Sequence, residues 1–455
     1  MCPRLTGHYS AKGGLCKMKQ AVILAGGKGS RLKSISGDLP KSMVSVLGIP
    51  LLRYIIEQCV LHRILDIKLL VSYKNKVIEN YFGDGYQFGV SIQYILEDTP
   101  RGTAGALVDA LPELDEQFLV IYGDTYFDID LSDFWEFHQD QAGDISIFLH
   151  PNDHPHDSDL IEVNSSLQVH KIHPYPHDLK WHQNLVNAAL YMFNKSALNG
   201  VCFVSDNPDI AKDLFPLMLE SKKTLYGYVS TEYIKDMGTP KRLSKVEKDI
   251  GSGKVKSLKK QTPKIAIFLD RDGTINQEVN HLSNQEQFEL LDGAAEAICQ
   301  INAAGILAVI VTNQPVIARG ELKVSELKII HNKMDTLLGR HGAYIDRLYY
   351  CPHHTDRGFE GEVKELKFNC DCRKPSIGMF RQAKNDLNIV LEKSWLVGDS
   401  TRDILAAKHA GIKSVLVQTG FSGKDGAFEV VPDYVAKDLS EAVMLILKEI
   451  DSNDC

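Results

Sequence analysis

Short apolar runs that stop at a glycine, a hydroxyl or an acid recur along this chain and define its organisation. The sharpest is Lys264-Ile265-Ala266-Ile267-Phe268-Leu269, which runs into Asp270-Arg271-Asp272-Gly273-Thr274. A brief continuous apolar run reads as a strand buried on both faces, the pattern of a parallel sheet. Residues 20–25, 67–72, 118–122, 307–311 and 395–397 repeat it. Between such strands, residues 49–57, with Pro50 near the first turn, and residues 294–304, closed by Gly305, predict helices. Strands alternating with helices predict an α/β architecture.

In an open α/β sheet the chemistry lies beyond the carboxyl ends of the strands. Asp270 and Asp272 fall there, and alternation along an extended chain points both side chains the same way. Two carboxylates so close repel and call for a cation; a magnesium ion with a phosphate substrate supplies one. Thr312-Asn313-Gln314 ends a second strand in a hydroxyl and an amide. Cys372-Arg373-Lys374-Pro375 offers a fixed cation, and Gly398-Asp399-Ser400-Thr401-Arg402-Asp403 ends a third strand in acid. These are the parts of a phosphoryl-transfer site: a carboxylate nucleophile, a hydroxyl and a lysine for phosphate oxygens, and a metal ligand. On these four motifs, residues 264–447 resemble the haloacid dehalogenase-like phosphatases.

Cys351-Pro352-His353 and Cys370-Asp371-Cys372 bracket a charged loop. Three thiolates and one imidazole make a closed tetrahedral set of the structural zinc type. His353 is favoured as the fourth ligand, with His354 the alternative. With this loop the second half resembles the D,D-heptose 1,7-bisphosphate phosphatases and, less closely, the histidinol-phosphatases, which carry a zinc loop in place of a large cap. The resemblance implies that Asp270 is the nucleophile and Asp272 the general acid and base. Thr312, Asn313 and Lys374 would hold the phosphoryl group, and Asp270, Asp272 and Asp399 the magnesium. Arg373, Arg319, Glu278 and His281 would contact the sugar. Pro315-Val316 departs from the family's usual serine and glycine.

In the first half, the strand at residues 20–25 feeds into Gly26-Gly27-Lys28-Gly29-Ser30-Arg31. Glycines let a backbone approach an anion, and successive N–H groups cradle phosphate. The spacing is neither the Walker pattern nor the dinucleotide fingerprint. Pro40-Lys41-Ser42, Arg101-Gly102-Thr103-Ala104-Gly105, Tyr122-Gly123-Asp124 and Lys235-Asp236-Met237-Gly238 follow in order. This set resembles the sugar-1-phosphate nucleotidylyltransferases over residues 19–248, most of all the guanylyltransferases for heptose or mannose 1-phosphate. The resemblance implies that Gly26, Gly27, Gly29 and Arg31 hold the nucleotide triphosphate, with Gly102 and Thr103 at the base or sugar. Lys41 would steady the reacting phosphates, Asp124 and Asp236 bind magnesium, and Asn187 lie by the sugar. His173-Pro174 stands where the family has Lys-Pro. The histidines between His150 and His182 lack ligand spacing and are expected on a solvated loop rather than at a metal.

A length of 455 residues, 44% hydrophobic and 24% charged, suits two or three ordinary domains. The expected division is an extension at 1–18, a nucleotidyltransferase at 19–248, a lysine-rich solvated linker at 249–263 and a phosphatase at 264–455. The first has a Rossmann-like mixed sheet; the second is a Rossmannoid haloacid dehalogenase-like fold with a zinc loop. Met18 directly precedes the first strand and is a candidate start. The net charge of -8 excludes a basic nucleic-acid footprint, and no apolar run reaches the ~20 residues of a membrane span. Nine cysteines without a secretory signal point to the cytoplasm and to metal rather than disulfides.

The expected enzyme thus has two activities, with Mg2+ and Zn2+ as cofactors. The phosphatase removes the 7-phosphate of a heptose 1,7-bisphosphate through an aspartyl-phosphate. The nucleotidyltransferase couples the heptose 1-phosphate to a nucleotide, GTP being favoured. The partners are these small molecules, and a homo-oligomer is left open. The alternatives are another sugar phosphatase fused to a mannose or glucose 1-phosphate nucleotidylyltransferase, or a chain with one half an inactive scaffold.

Overall fold

The computed structural model describes residues 18–27, 37–97 and 99–453. Its first half is built on a mixed sheet whose parallel core is the Gln20–Leu24 strand, flanked by Asp66–Val71 and Gln117–Tyr122. Ser91–Leu96 extends it in parallel on one side. On the other, Val186–Asn194 runs antiparallel to Gln117–Tyr122 and carries Ile145–His150 and Leu160–Val163. Ala21, Val22 and Ile23 are fully buried, which is why this strand reads as an unbroken apolar run. A separate two-stranded ribbon pairs Thr125–Asp128 with Tyr233–Asp236, placing Asp236 opposite Thr125. The Met237 N–H then donates to the Asp124 carbonyl at 2.8 Å, so two acids far apart in sequence come together.

The second half is a six-stranded, all-parallel sheet in the order Arg347–Cys351, Leu307–Asn313, Ala266–Leu269, Trp395–Gly398, Lys413–Val417, Tyr434–Ala436. Helices Ala294–Ala303, Val324–Arg340, Gly378–Leu387, Thr401–Ala410 and Leu439–Asn453 accompany it. The central strand, Ala266–Leu269, is buried throughout. Among the described residues no helix is long and apolar enough to cross a membrane.

Two expectations need correction. The lysine-rich run at 249–263 is not a solvated linker. The helix Pro240–Gly251 gives way to a second, Lys254–Ser257, and Lys254, Val255 and Leu258 are buried. Lys259 pairs with Asp128 at 2.9 Å and Lys260 with Asp133, so first-domain acids neutralise the charge expected to keep the run in water. Nor do all the histidines between 150 and 182 lie on a solvated loop, although His156 and His170 are exposed. The segment forms the strands Leu160–Val163 and Val169–His173, and His173 and His182 are buried. Its end docks on the helix Val324–Arg340 of the second half. The His182 N–H donates to Thr336 Oγ1 at 2.8 Å and the Asn184 N–H to Asp335 Oδ2 at 3.0 Å. Lys333 and Arg340 lie 5.4 and 5.7 Å from the Trp181 ring. The two halves therefore pack through specific polar contacts.

Asp346, buried near this boundary, accepts the Ala308 N–H at 2.8 Å. Burial pushes its carboxyl up to about 7, against an ordinary value of about 3.9. A carboxyl with a raised folded value holds its proton more tightly folded than unfolded, so stability falls as pH climbs between those values. Asp346→Asn keeps an acceptor oxygen and removes the titration. Thermal unfolding from about pH 4 to 7 should show a flatter loss of stability in the variant than in the parent.

Candidate active sites

The Ala266–Leu269 strand lies between Leu307–Asn313 and Trp395–Gly398, so Asp270, Thr312 and Asp399 meet at one end of the sheet. Lys374, buried, joins them: its Nζ lies 2.9 Å from Asp270 Oδ1 and 2.6 Å from Asp403 Oδ1. Carboxylate oxygens of Asp270, Asp399 and Asp403 all fall within 4.8 Å of one another. Burial, then the Asp403 charge, pushes Asp270 up to about 7 against the pull of Lys374. Burial, then Asp403 and Asp270, pushes Asp399 up to about 9. Burial also works against the Lys374 ammonium, but Asp270 and Asp403 outweigh it and raise its pKa. One lysine cannot neutralise three acids of which Asp399 and Asp403 are buried, and oxygen ligands so placed fit a hard divalent cation.

The side chain of Asp272 is held elsewhere. It accepts from Arg271 Nη2 at 2.8 Å, Gln314 Nε2 at 2.9 Å and Asn276 Nδ2 at 3.0 Å. The structure thus sets Asp403, not the Asp272 side chain, beside Asp270 and Asp399. Arg271 is fully buried and serves Asp272 alone among the acids it reaches. Gln314 also donates to Thr312 Oγ1 at 3.0 Å, tying the hydroxyl to the acid. Asn313 brackets the lysine backbone: its Oδ1 accepts the Lys374 N–H at 3.0 Å and its Nδ2 donates to the Lys374 carbonyl at 3.1 Å. Gly273, at φ +77, is a glycine by necessity, since a Cβ there would sit 2.2 Å from Asp399 Oδ2.

Around the mouth, Arg319 Nη1 lies 3.0 Å from His281 Nδ1, and its guanidinium stacks 4.6 Å from the Phe359 ring. Glu278 accepts the Asn280 N–H, and burial, then Asp272, raises its pKa. The sulfurs of Cys351, Cys370 and Cys372 lie 3.3 to 3.5 Å apart. His353 Nδ1 is 3.3 Å from Cys372 Sγ and 3.6 Å from Cys351 Sγ. His354 turns instead to Arg319, its Nε2 3.4 Å from Nη2. Three thiols and one imidazole nitrogen converging at these spacings fit a tetrahedral zinc ion. Arg373, next to Cys372, donates to the His353 carbonyl at 3.2 Å, so the same loop carries the thiols and Lys374.

In the first half a cavity of about 460 Å³ opens beyond the Gln20–Leu24 strand, reached by Gly26, Lys41, Gly102, Asp124, Asp236 and Arg242 among others. Lys41 pairs with Asp124. Arg242 Nη1 lies 2.7 Å from Asp236 Oδ1, and His154 Nε2 3.8 Å from Asp236 Oδ2. Burial opposes the Asp236 charge, but His154 and Arg242 outweigh it and hold the carboxyl well below its ordinary range. A Cβ on Gly26 would meet Glu97 at 2.8 Å, and one on Gly102, at φ +66, would meet the Pro208 carbonyl at 2.4 Å. Gly27 also lines the cavity, whereas Gly29 and Arg31 lie outside the described residues. Thr103 lines it too but bonds Asp209 Oδ2 at 2.9 Å. Asn187 does not line it; its Nδ2 donates to the Tyr191 hydroxyl at 3.0 Å. Sequence reasoning missed Arg242, Glu97 and Asp403. Only Asp403 carried a local signal, an acid four residues after Asp399 at the start of a helix.

Residues 20–253 match the nucleotidyl transferase family, and residues 371–442 match the HAD-hydrolase-like family. The chain is 46% identical over 158 residues to the D-glycero-beta-D-manno-heptose-1,7-bisphosphate 7-phosphatase of Pasteurella multocida, covering 34% of this chain and 83% of that protein. It is 38% identical over 185 residues to the protein of the same name in Escherichia coli K12, covering 40% and 94%. Among solved structures, HddC from Yersinia pseudotuberculosis complexed with GMP-PN shares 28% identity at a TM-score of 0.44, covering 51% of this chain and all (100%) of that one. The D,D-heptose 1,7-bisphosphate phosphatase of B. bronchiseptica, complexed with magnesium and phosphate, shares 34% identity at a TM-score of 0.37, covering 41% and 99%.

Gly273→Ala places a methyl group where Asp399 now stands. The displaced carboxylate should lower phosphate release by at least about a hundredfold, since a shift of about 1 Å at a reacting centre costs that much. Steady-state phosphate release by the purified variant, with nucleotidyl transfer as internal control, checks this.

Proposed function

We propose, from the premise that this chain belongs to the nucleotidyl transferase family over residues 20–253 and to the HAD-like heptose-bisphosphate phosphatases in its second half, that its two sites run consecutive reactions. The chain is a bifunctional enzyme of nucleotide-activated heptose biosynthesis. The observation that carries this reading is the meeting of Asp270, Thr312, Lys374 and Asp399 at one sheet end, in the half that matches the 7-phosphatases.

In the phosphatase, Asp270 attacks the phosphorus of the 7-phosphate and the bond to the sugar O7 breaks. Asp272, oriented by Arg271, Asn276 and Gln314, gives O7 its proton. It then takes a proton from the water that attacks the aspartyl-phosphate, releasing phosphate and restoring Asp270. Thr312 and Lys374 bind the phosphoryl oxygens, and Asn313 fixes the lysine backbone. Asp270, Asp399 and Asp403 would hold magnesium, which neutralises charge on those oxygens when bound. Cys351, His353, Cys370 and Cys372 would hold zinc, which supplies folding free energy to the loop that presents Lys374. Arg319, Arg373, Glu278 and His281 would contact the sugar.

In the transferase, an oxygen of the heptose 1-phosphate attacks the α-phosphorus of the nucleoside triphosphate and pyrophosphate leaves. Positioning and charge neutralisation suffice, with no covalent protein intermediate. Gly26 and Gly27 approach the phosphates; Asp124 and Asp236 would hold magnesium, which would neutralise phosphate charge, and Lys41 and Arg242 would bind the phosphates. We favour GTP as donor, on the resemblance to guanylyltransferases. A nucleoside triphosphate substrate fits an enzyme of the cytoplasm.

Asp270→Asn keeps the shape and removes the nucleophile. It should abolish phosphate release from heptose 1,7-bisphosphate and leave pyrophosphate release from GTP and heptose 1-phosphate intact. Asp124→Ala should do the reverse. Near-normal phosphate release by Asp270→Asn sinks the phosphatase assignment; a panel of nucleoside triphosphates checks the base.

Metal analysis of the parent should find zinc in stoichiometric amount. Cys370→Ser should lose it and lower the melting temperature of the second domain. Full zinc retention in that variant would overturn the ligand set.

A further inference from the structure

Between the two halves lies a second cavity, of about 400 Å³, that neither reaction uses. The first domain contributes Lys235, Lys245 and Lys254 to its wall; the second contributes Cys299, Tyr344 and Asp346. The wall carries three lysines and four acids, unevenly paired; Glu232 is committed to the Asp130 N–H at 2.9 Å and the Ser230 hydroxyl at 3.0 Å. Asp153 is committed, its Oδ1 lying 2.9 Å from Lys235 Nζ and 2.6 Å from His154 Nδ1. Asp249 accepts the Tyr233 hydroxyl at 2.9 Å. Lys245 Nζ reaches no carboxylate closer than 3.6 Å. Lys254 is only 6% exposed, yet its ammonium donates to a single backbone carbonyl, that of Asn302, at 2.6 Å. An ammonium has three protons to donate, so a buried lysine with one acceptor retains donor capacity. Among the described residues the Tyr344 hydroxyl has no hydrogen-bond partner. The buried Asp346 spends one oxygen on the Ala308 N–H.

We propose that this interdomain cavity is a binding site for a sugar monophosphate: Lys245, Lys254 and Tyr344 take the phosphate, and Asp346 accepts from a sugar hydroxyl. Two cations and a hydroxyl converging on one space match a phosphate monoester, whose dianion offers acceptors only. The volume is at the small end of ligand pockets and suits a sugar monophosphate better than a nucleotide sugar. The cavity also reaches the transferase. Asp153 holds His154, and His154 Nε2 lies 3.8 Å from Asp236 Oδ2. A phosphate that draws Lys235 and Lys245 away from Asp153 changes how firmly His154 is held against Asp236. The identification of the natural ligand as the heptose monophosphate passing between the reactions rests on the functional reading above; the site itself does not.

The test uses Cys299, whose thiol is partly exposed in the cavity wall, and needs neither reaction. The intact protein is alkylated with iodoacetamide, with and without mannose 6-phosphate, and each cysteine is followed by peptide mass spectrometry. Exposed Cys202, outside the cavity, is the internal control. With probe at about ten times its dissociation constant, Cys299 alkylation should slow about tenfold while Cys202 is unchanged. Lys245→Gln, at a half-exposed position, should abolish the protection. An unchanged Cys299 rate, protection that survives Lys245→Gln, or equal protection by inorganic phosphate alone each overturns the proposal. If Cys299 reacts too slowly to follow, calorimetric titration with mannose 6-phosphate decides: Cys299→Trp, which fills the cavity, should lose one site, and an unchanged stoichiometry overturns it.

Discussion

The second half of the molecule is arranged around one buried ammonium. Lys374 stands between Asp270 and Asp403, with Asp399 close by, where water cannot screen the acids. Three carboxylates against one cation leave a site short of positive charge by two, and a divalent ion corrects that imbalance. Much of the surrounding structure keeps the lysine in place. Asn313 binds its backbone on both sides, and the cysteine-bearing loop ends directly in it. Gly273 and Gly420 let the chain pass close to Asp399, where a Cβ on either would fall within 2.2 Å of its Oδ2.

The first half meets the same electrostatic problem by different means. Its two acids arrive from separate strands, Asp124 at a strand end and Asp236 across a two-stranded ribbon, and each is paired with a cation, Lys41 or Arg242. On the proposed reading these are partners that a substrate phosphate would draw away, freeing the acids for a metal ion and the cations for the phosphates together. On the proposed reading neither site needs an activated serine or cysteine, since charge placement would do the chemistry in one and Asp270 would be the nucleophile in the other. Two such sites are joined through polar docking contacts at Thr336, Asp335 and Trp181.

Asp270, Thr312, Asp399 and Asp124 were legible in the sequence because each follows or ends an apolar run, and parallel strands deliver such residues to one edge. Lys374 and the cysteines were legible because their spacing is local. Arg242 and Glu97 were not, since their roles depend on which helix or loop folds over the cavity, and nothing in their neighbours marks that. The Asp272 side chain was expected with Asp270 by alternation, but the strand ends at Leu269, and beyond it Arg271 and Gln314 set the direction. The interface was hidden for a related reason. His182 and Lys254 read as solvated until the other domain supplies Thr336 and Asn302 as partners.

The central claim is an order of reactions: the distal phosphate leaves first, and the anomeric phosphate survives to accept the nucleotide. Phosphorus NMR of the intact enzyme with heptose 1,7-bisphosphate and magnesium, first without GTP and then after its addition, reads that order directly. The account predicts loss of the 7-phosphate signal with the anomeric signal intact, then conversion of the anomeric signal to a diphosphate pair when GTP is added. Loss of the anomeric signal while the 7-phosphate persists would contradict it.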